Sequence, residues 1–214
     1  MRVAVLASGG GTNLQALLDK CRGPAPARVV LVACNRPDAG ALERARKAGV
    51  DTHIIQDPGD GPAMIAVLDR YEIDLVVLAG YLKLVPEDVV DAFAGRMINI
   101  HPALLPSFGG PGMYGMRVHR AVLESGATVS GPTIHLVTAE YDRGPIVAQW
   151  PVPVAPDDTE ETLQKRVLAA EHQLLTAVVL NAARAGGVTR LLAKGDSFHA
   201  VDGSVSLSDR LQRP

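Results

Sequence analysis

The sequence predicts an α/β fold: a central, mostly parallel sheet with helices on both faces and antiparallel strands added in the C-terminal half. Two observations support this prediction. Short valine-rich apolar runs alternate with helix-like segments through the first half of the chain. Longer extended segments follow in the second half, and a long helical segment comes after them. Strands that alternate with helices form βαβ units, and such units build a parallel sheet that helices cover on both sides.

The first half contains four predicted strands and a weaker fifth one. The four strands span residues 3–7, 29–33, 75–79 and 97–100, and the weaker strand spans residues 52–55. Helices are predicted between them at residues 13–21, 41–48, 63–71 and 87–92. Most strand positions are apolar, which is typical of strands that are buried on both faces.

The second half is predicted to add an antiparallel pair and a long helix. Residues 128–137 and 146–154 are extended, and the polar segment between them has loop chemistry. Asp158 or Thr159 is predicted to cap a helix that runs to about Arg184 and ends at Gly186 and Gly187. One or two short strands are expected in the tail. Because the chain shows no repeat, low-complexity tract or long linker, residues 1–214 are predicted to form a single Rossmann-like domain.

Composition excludes several classes of partner. The formal net charge is −2, so the protein has no broad basic surface for nucleic acid. The longest apolar run contains Lys83 and is far shorter than the ~20 residues that span a bilayer, so no membrane association is predicted. Cys21 and Cys34 lack the spacing of a zinc site or a redox pair and are read as reduced, buried thiols. Without a targeting signal, a cytoplasmic location is expected.

A glycine-rich segment, Ser8-Gly-Gly-Gly-Thr-Asn13, lies between the first strand and the first helix. Glycines allow a sharp turn and close approach to a ligand, and the helix start offers free N–H groups to an anion. The dinucleotide pattern fails because Leu14 replaces its third glycine, and no Gly-Lys-Ser/Thr follows as in a Walker loop. The segment therefore suits a monophosphate, with the Thr12 hydroxyl and the Asn13 amide as further donors; a purely structural turn is the alternative.

Asn99 and His101 are the candidate catalytic pair. They lie two residues apart at the carboxyl end of a predicted strand, so their side chains project to the same side. A neutral amide donor and a group that carries a proton near neutral pH can together stabilise an oxygen that becomes negative during acyl transfer. A simple turn at Pro102 is the alternative reading.

Asp142 is the candidate partner of His101. An aspartate beside the ring would favour the imidazolium, so we expect a raised pKa for His101. A second alternative places His101, His135 and Asp142 together as a metal triad with an open position. Their spacing matches no metal signature, so no metal is predicted.

Five segments in order resemble the phosphoribosylglycinamide formyltransferases, folate-dependent enzymes of purine synthesis. They are VLASGGGTNLQA at 5–16, LERARKAG at 42–49, DLVVLAG at 74–80, NIHPALLP at 99–106 and DRGPIV at 142–147. Single segments also occur in other formyl-group enzymes, whereas the ordered set is specific. The resemblance covers residues 3 to about 181.

The resemblance implies a role for each matching position. Asn99, His101 and Asp142 would be catalytic, with 10-formyltetrahydrofolate as formyl donor and glycinamide ribonucleotide as acceptor. The nucleotide would be held by Gly11, Thr12, Asn13 and Glu171, and the folate by Leu82, Lys83, Leu84, Val85, Asn99, Val137 and Tyr141. Residues 1–100 would form a nucleotide-binding half, residues 101–190 a folate-binding and catalytic half, and residues 191–214 a C-terminal tail.

The chain departs from the family pattern at three places. Lys83 stands where the family often has arginine, and residues 59–70 offer no counterpart for another folate-side arginine. The glycine-rich loop 107–116 is longer than in many members, and it is read as a mobile lid.

The resemblance implies direct attack of the glycinamide amine on the formyl carbon. Asn99 and His101 would stabilise the tetrahedral intermediate, and Asp142 would hold His101 protonated. The alternative functions are a formyltetrahydrofolate hydrolase, another formyl-group transferase, or a nucleotide-binding regulator without chemistry. Small-molecule partners are expected, and the protein is read as a monomer or homodimer.

Overall fold

The computed structural model describes residues 1–194 and 197–204 and contains the predicted central sheet. Seven strands take part: β1 (Arg2–Ala7), β2 (Arg28–Cys34), β3 (Asp51–Ile54), β4 (Leu75–Leu78), β5 (Met97–His101), β7 (Thr133–Leu136) and β8 (Ile146–Gln149). Their order in the sheet is β3-β2-β1-β4-β5-β7-β8. Strands β1 to β5 are parallel to one another, and β7 and β8 are antiparallel to their neighbours.

Helices cover both faces of the sheet, as predicted. They are α1 (Thr12–Lys20), α2 (Gly40–Lys47), α3 (Gly61–Arg70), α4 (Glu87–Ala92), α5 (Met116–Glu124) and α6 (Glu160–Ala185). The alternation along β1 explains the two layers, because successive side chains of a strand point to opposite faces. Val3 and Val5 pack with residues of α1, α2 and α6, whereas Ala4 and Leu6 pack with residues of α3 and α4. Each fully buried Leu or Val contributes about 1.5–3 kcal/mol to stability.

The extended segments of the second half are each broken in two. Residues 128–137 form β6 (Val129–Ser130) and β7, and residues 146–154 form β8 and β9 (Val152–Pro153). Gly131, at φ 138°, accounts for the first break, because a Cβ there would collide with the carbonyl oxygen of Trp150. β6 and β9 pair with each other in a separate two-stranded sheet, so the predicted antiparallel pairing is retained.

The long helix begins and ends as predicted. Thr159 is the N-cap of α6, and its side chain and that of Thr162 exchange hydrogen bonds with each other's backbone N–H. The helix ends before Gly186, which has φ 76°. The tail forms a hairpin of β10 (Thr189–Lys194) and β11 (Ser197–Ser204). Residues 195–196 and 205–214 of the predicted tail lie outside the described residues, and the division at residues 100 and 190 stays a prediction.

Helix α5 was not predicted. Glycines at positions 109, 110, 112 and 115 lie just before its start and indicate a loop, so the helical pattern after them was not recognised. The helix has an apolar face on which Val118 and Val122 are fully buried. Along the described residues, no helix has the length and apolar character needed to cross a membrane.

The strand order places the functional residues at one edge. The chain adds β2 and β3 on one side of β1 and then returns to place β4 on the other side. A crevice forms at the carboxyl ends of strands where the order reverses in this way, and open α/β sheets bind ligands there. The glycine loop follows β1, residues 79–85 follow β4, and Asn99 and His101 lie at the end of β5. All three therefore open into the same crevice.

Candidate active site

A cleft of about 490 Å³ occupies this crevice. Its walls include the glycine loop, the end of β4 with residues 79–85 after it, the end of β5, part of the loop that precedes α5, and residues of the segment 135–142. Helix α6 contributes Gln164, Leu168 and Glu171 to the wall near the glycine loop. Every residue predicted to bind substrate or to act in catalysis lines this cleft.

Asn99, His101 and Asp142 meet at the centre of the cleft. Asn99 Nδ2 lies 3.3 Å from Asp142 Oδ1, and His101 Nδ1 lies 3.5 Å from Asp142 Oδ2. Asp142 reaches them because its loop turns back over β7: its φ is 55°, and Gly144 passes so close that a Cβ would overlap the Leu136 carbonyl oxygen. The roles of the three residues remain predictions.

His135 is a fourth member of this cluster. It is paired with Asn99 across β5 and β7, and its Nε2 lies 3.0 Å from Asn99 Nδ2 and 3.5 Å from Asp142 Oδ1. Its Nδ1 lies 2.8 Å from the Leu136 carbonyl oxygen, which can only accept, so Nδ1 carries a hydrogen. In the neutral ring Nε2 therefore accepts a hydrogen bond from the Asn99 amide.

The Asn99 amide nitrogen faces two acceptors. The separations of 3.0, 3.3 and 3.5 Å among Asn99 Nδ2, His135 Nε2 and Asp142 Oδ1 form a nearly equilateral triangle. Both acceptors therefore lie on the same side of the amide nitrogen. A primary amide has two N–H bonds, so Asn99 can donate one to each acceptor or turn one of them towards a ligand.

The expected raised pKa of His101 is wrong. The ring is only 3% exposed, and burial lowers its pKa more than the charge of Asp142 raises it. The Phe108 carbonyl oxygen, 2.8 Å from Nε2, also favours the protonated ring, whereas His135 opposes it. Since Nε2–H donates to Phe108, Nδ1 is the basic nitrogen of the neutral ring, and it faces Asp142.

Asp142 is held in its charged form. Burial alone would raise its pKa, but the neighbouring rings of His135 and His101 and a bond from the backbone N–H of Gly110 together lower it. The Gly110 N–H lies 2.9 Å from Asp142 Oδ2. The glycine-rich loop 107–116 thus contacts both His101, through Phe108, and Asp142, through Gly110; its reading as a mobile lid stays a prediction.

No group of three or more His, Cys, Asp or Glu side chains arranged to hold a metal ion occurs in the part of the chain that the structure describes. Each histidine of the proposed triad directs one ring nitrogen at a backbone carbonyl oxygen, and the two other nitrogens face different oxygens of Asp142. The two bonds to backbone carbonyl oxygens orient the rings.

The glycine loop forms the other end of the cleft. Gly11 is the N-cap of α1, its φ is 75°, and no side chain caps the helix. The Asn13 side chain donates from Nδ2 to Glu171 Oε2 at 2.6 Å, so the predicted nucleotide-binding residues of α1 and α6 touch. Asn13 Oδ1 is buried without a hydrogen-bond partner among the described residues. Burial raises the pKa of Glu171 to about 7, and the bond from Asn13 opposes that rise.

The predicted folate-binding residues line the mouth of the cleft. Leu82 and Leu84 are each 46% exposed and Tyr141 is 37% exposed, which leaves an apolar rim facing solvent. Lys83 is exposed, Val85 is buried and Val137 is half-buried. An exposed apolar rim of this kind is typical of ligand-binding grooves.

Ser8 connects the two ends of the cleft and was missed by the sequence reasoning. Its hydroxyl donates to Asn35 Oδ1 at 2.6 Å and accepts from the Leu82 N–H at 3.0 Å. The glycine loop is thereby joined to the segment after β4. His119 was also missed: it lies on α5, is 2% exposed and lines the cleft with Nδ1 unpaired among the described residues.

Comparisons with known proteins identify the family. Residues 1–179 match the formyl transferase family. Over 186 residues the chain is 49% identical to the chloroplastic phosphoribosylglycinamide formyltransferase of Arabidopsis thaliana, covering 83% of this chain and 64% of that protein. Over 186 residues it is 40% identical to phosphoribosylglycinamide formyltransferase of Escherichia coli (strain K12), covering 84% and 85%.

A solved structure matches as well. Glycinamide ribonucleotide transformylase 1 from Symbiobacterium toebii aligns with a TM-score of 0.80 at 44% identity and covers 94% of each chain. The chain spans less than two thirds of the length of these plant relatives: 64% of the Arabidopsis protein and 59% of the protein from Vigna unguiculata. These matches show that the chain belongs to the formyl transferase family, in the group that contains the phosphoribosylglycinamide formyltransferases.

Proposed function

We propose that the protein transfers the formyl group of 10-formyltetrahydrofolate to the amine of glycinamide ribonucleotide, a step of purine synthesis. The observation that carries the proposal is the arrangement of the cleft. An anion-binding glycine loop at one end and an apolar rim at the other flank Asn99, His101 and Asp142 in one continuous space. A phosphorylated acceptor and an aromatic donor can therefore meet at these three side chains.

The nucleotide occupies the glycine-loop end. Free N–H groups at the start of α1 receive the phosphate, with the Thr12 hydroxyl nearby. The unpaired Oδ1 of Asn13 and the carboxyl group of Glu171 accept hydrogen bonds from ribose hydroxyls, which supplies the missing partner of a buried acceptor. The folate packs on Leu82, Leu84, Val137 and Tyr141, and Lys83 lies near its acidic tail.

The reaction needs an oxyanion stabiliser and a proton carrier. The amine attacks the formyl carbon, which leaves a positive charge on nitrogen and a negative charge on the formyl oxygen. An N–H of the Asn99 amide donates to that oxygen. His101 begins neutral, because burial lowers its pKa. Its Nδ1 takes the proton released by the amine, directly or through a water, and becomes an imidazolium next to Asp142.

The same proton completes the transfer. The imidazolium returns it to N10 of the folate as the bond from N10 to the formyl carbon breaks, and tetrahydrofolate leaves. Asp142 stabilises the imidazolium in between, and His135 and Gly110 keep Asp142 charged and in place. This sequence replaces the expectation of a resting imidazolium with an imidazolium that forms during the reaction.

The proposal also includes the expected partners, compartment and oligomeric state. The protein acts on small molecules without a metal, nucleic acid or membrane partner, in the cytoplasm, as a monomer or homodimer. Sedimentation at several concentrations distinguishes the two oligomeric states.

Product formation with and without the nucleotide tests the proposal. Tetrahydrofolate release from 10-formyltetrahydrofolate is followed spectrophotometrically, first alone and then with glycinamide ribonucleotide. Release that depends on the nucleotide supports formyl transfer. Equal release without it contradicts the proposal and indicates the alternative, a formyltetrahydrofolate hydrolase.

A further inference from the structure

The glycine loop is held from behind by the first turns of α2. The Ala41 N–H donates to the Gly9 carbonyl oxygen at 3.1 Å, and Arg44 Nε donates to the Gly10 carbonyl oxygen at 2.8 Å. Two successive carbonyl groups of the loop are therefore fixed towards α2. One bond comes from the backbone, and the other comes from the Arg44 guanidinium.

This arrangement sets the direction of the loop's N–H groups. In a planar trans peptide the C=O of one residue and the N–H of the next point in opposite directions. The N–H of Gly10 and that of Gly11 consequently point away from α2. Neither donates to another group among the described residues, and Gly11 begins α1 without a side-chain cap. They lie next to the start of α1, where the proposed function places the phosphate.

The fit between loop and helix leaves little freedom. A Cβ on Gly11 would lie 2.8 Å from Cα and Cβ of Ala41, and a Cβ on Gly40 would lie 3.3 Å from the Gly10 carbonyl oxygen. The backbones approach so closely because both positions are glycine. A side chain on Gly11 would therefore displace α2.

Arg44 also brings a positive charge to the side of the loop that faces α2. Its Nη1 donates to Gln15 Oε1 at 3.1 Å, which orients the planar guanidinium, and it forms no ion pair in the part of the chain that the structure describes. The neighbouring carboxylate on its helix, Glu43, pairs with Lys47 instead. A hydrogen bond from a cation polarises the peptide that accepts it, so the N–H on the far side of that peptide, that of Gly11, becomes a better donor to an anion.

We propose that Arg44 is a positioning residue for the phosphate subsite of the nucleotide. It acts through the Gly10–Gly11 peptide, which it orients and polarises, and it does not touch the phosphate. The inference rests on the proposed function, since that function assigns the phosphate to the glycine loop. It predicts an effect confined to ligands that carry a phosphate.

Binding by three variants tests the inference. Arg44→Ala removes both the hydrogen bond and the charge, and Arg44→Lys keeps the charge without the planar fork. Arg46→Ala is the matched control, because it removes an exposed arginine from the same helix that makes none of these contacts with the loop. Calorimetry with glycinamide ribonucleotide, with glycinamide riboside and with ribose 5-phosphate separates the phosphate from the rest of the ligand. Thermal unfolding identifies any variant that has lost its fold.

We expect Arg44→Ala to lower the affinity for glycinamide ribonucleotide and for ribose 5-phosphate about tenfold, which is the effect of losing a charge-assisted hydrogen bond. The affinity for the riboside should stay unchanged. Arg44→Lys should recover part of the loss, and Arg46→Ala should match the wild type. In steady-state assays the KM for the nucleotide should rise while the KM for the folate stays constant.

Two results with Arg44→Ala would overturn the inference. One is an equal loss of affinity for the riboside and the ribonucleotide, and the other is an unchanged affinity for both phosphorylated ligands. A wild-type protein that binds ribose 5-phosphate but not glycinamide ribonucleotide would contradict the proposed function alone. The Arg44 comparison is then decided with ribose 5-phosphate, where equal affinity of wild type and Arg44→Ala would refute the inference.

Discussion

The carboxylate of Asp142 lies 3.5 Å from Nδ1 of His101, yet the pKa of that histidine is lowered. Burial outweighs the nearby charge, and this relationship determines the proposed chemistry. A neutral ring whose basic nitrogen faces a carboxylate is ready to accept a proton and to stabilise the resulting cation. A ring protonated at rest would stabilise an oxyanion but would have no capacity to take the proton of the attacking amine.

Asp142→Asn should lower the pKa of His101 still further, since it removes the charge that raises it. The amide keeps the shape of the side chain, so both substrates should still bind. Turnover should fall about a hundredfold or more, within the range of a lost acid–base contribution. An NMR titration of the His101 ring, with kinetics on the same samples, measures both effects. An unchanged pKa together with unchanged turnover would remove Asp142 from the mechanism.

Glu171→Gln should change how stability depends on pH. Burial raises the pKa of Glu171 from 4.5 to about 7, so the folded state favours the protonated acid. The wild type should therefore lose stability as the pH rises from about 4.5 to about 7, by roughly 3 kcal/mol for a shift of this size. Glutamine can still accept the hydrogen bond from Asn13 and carries no charge, so the variant should not lose stability over this pH range through residue 171.

Urea unfolding of the wild type and Glu171→Gln at pH 5 and pH 8 measures the difference between the two stabilities. The difference should favour the variant more at pH 8 than at pH 5. Parallel pH dependences would show that Glu171 ionises normally in the folded protein.

Ser8→Ala should impair both ends of the cleft at once. The substitution removes the hydrogen bond from the Leu82 N–H and the one to Asn35, so the link between the glycine loop and the segment after β4 is lost. The KM values for nucleotide and folate should both rise by about three- to tenfold. Ser125→Ala is the control, since its hydroxyl bonds the Val122 carbonyl oxygen on α5. A rise for only one substrate would contradict the coupling.

Full activity should persist after exhaustive chelation, because the proposal assigns charge stabilisation to Asn99 and His101. The assay compares the enzyme before and after EDTA treatment and after added zinc. Activity that is lost with EDTA and restored by zinc would revive the metal alternative built on His101, His135 and Asp142.

Local patterns carried the sequence predictions that were confirmed. The sheet strands, the glycine loop before α1 and the caps of α6 each rest on neighbouring residues, and the structure contains all of them. Helix α5 was missed because the glycines just before its start indicate a loop. Period-two alternation predicted that Asn99 and His101 project to the same side of a strand, and the order of strands brings the end of that strand to the glycine loop.

The features that could not be predicted from the sequence depend on contacts between residues that are distant in the chain. The pKa of His101 was predicted in the wrong direction because burial is a property of the folded core. The contacts of Arg44 with Gly10, 34 residues apart, and of Ser8 with Leu82, 74 residues apart, have no local signature. The part of His135 in orienting Asn99 likewise required the β5–β7 register.

The central claim is that Asn99, His101 and Asp142 carry formyl transfer to a phosphorylated amine. Its most direct test uses 10-formyltetrahydrofolate labelled with ¹³C in the formyl group, mixed with glycinamide ribonucleotide and followed by NMR. With the wild type the label should move to the glycinamide nitrogen. With folded His101→Ala, which still binds both substrates, the transfer should slow about a hundredfold or more. Label appearing as free formate, or moving at the wild-type rate in the variant, would contradict the account.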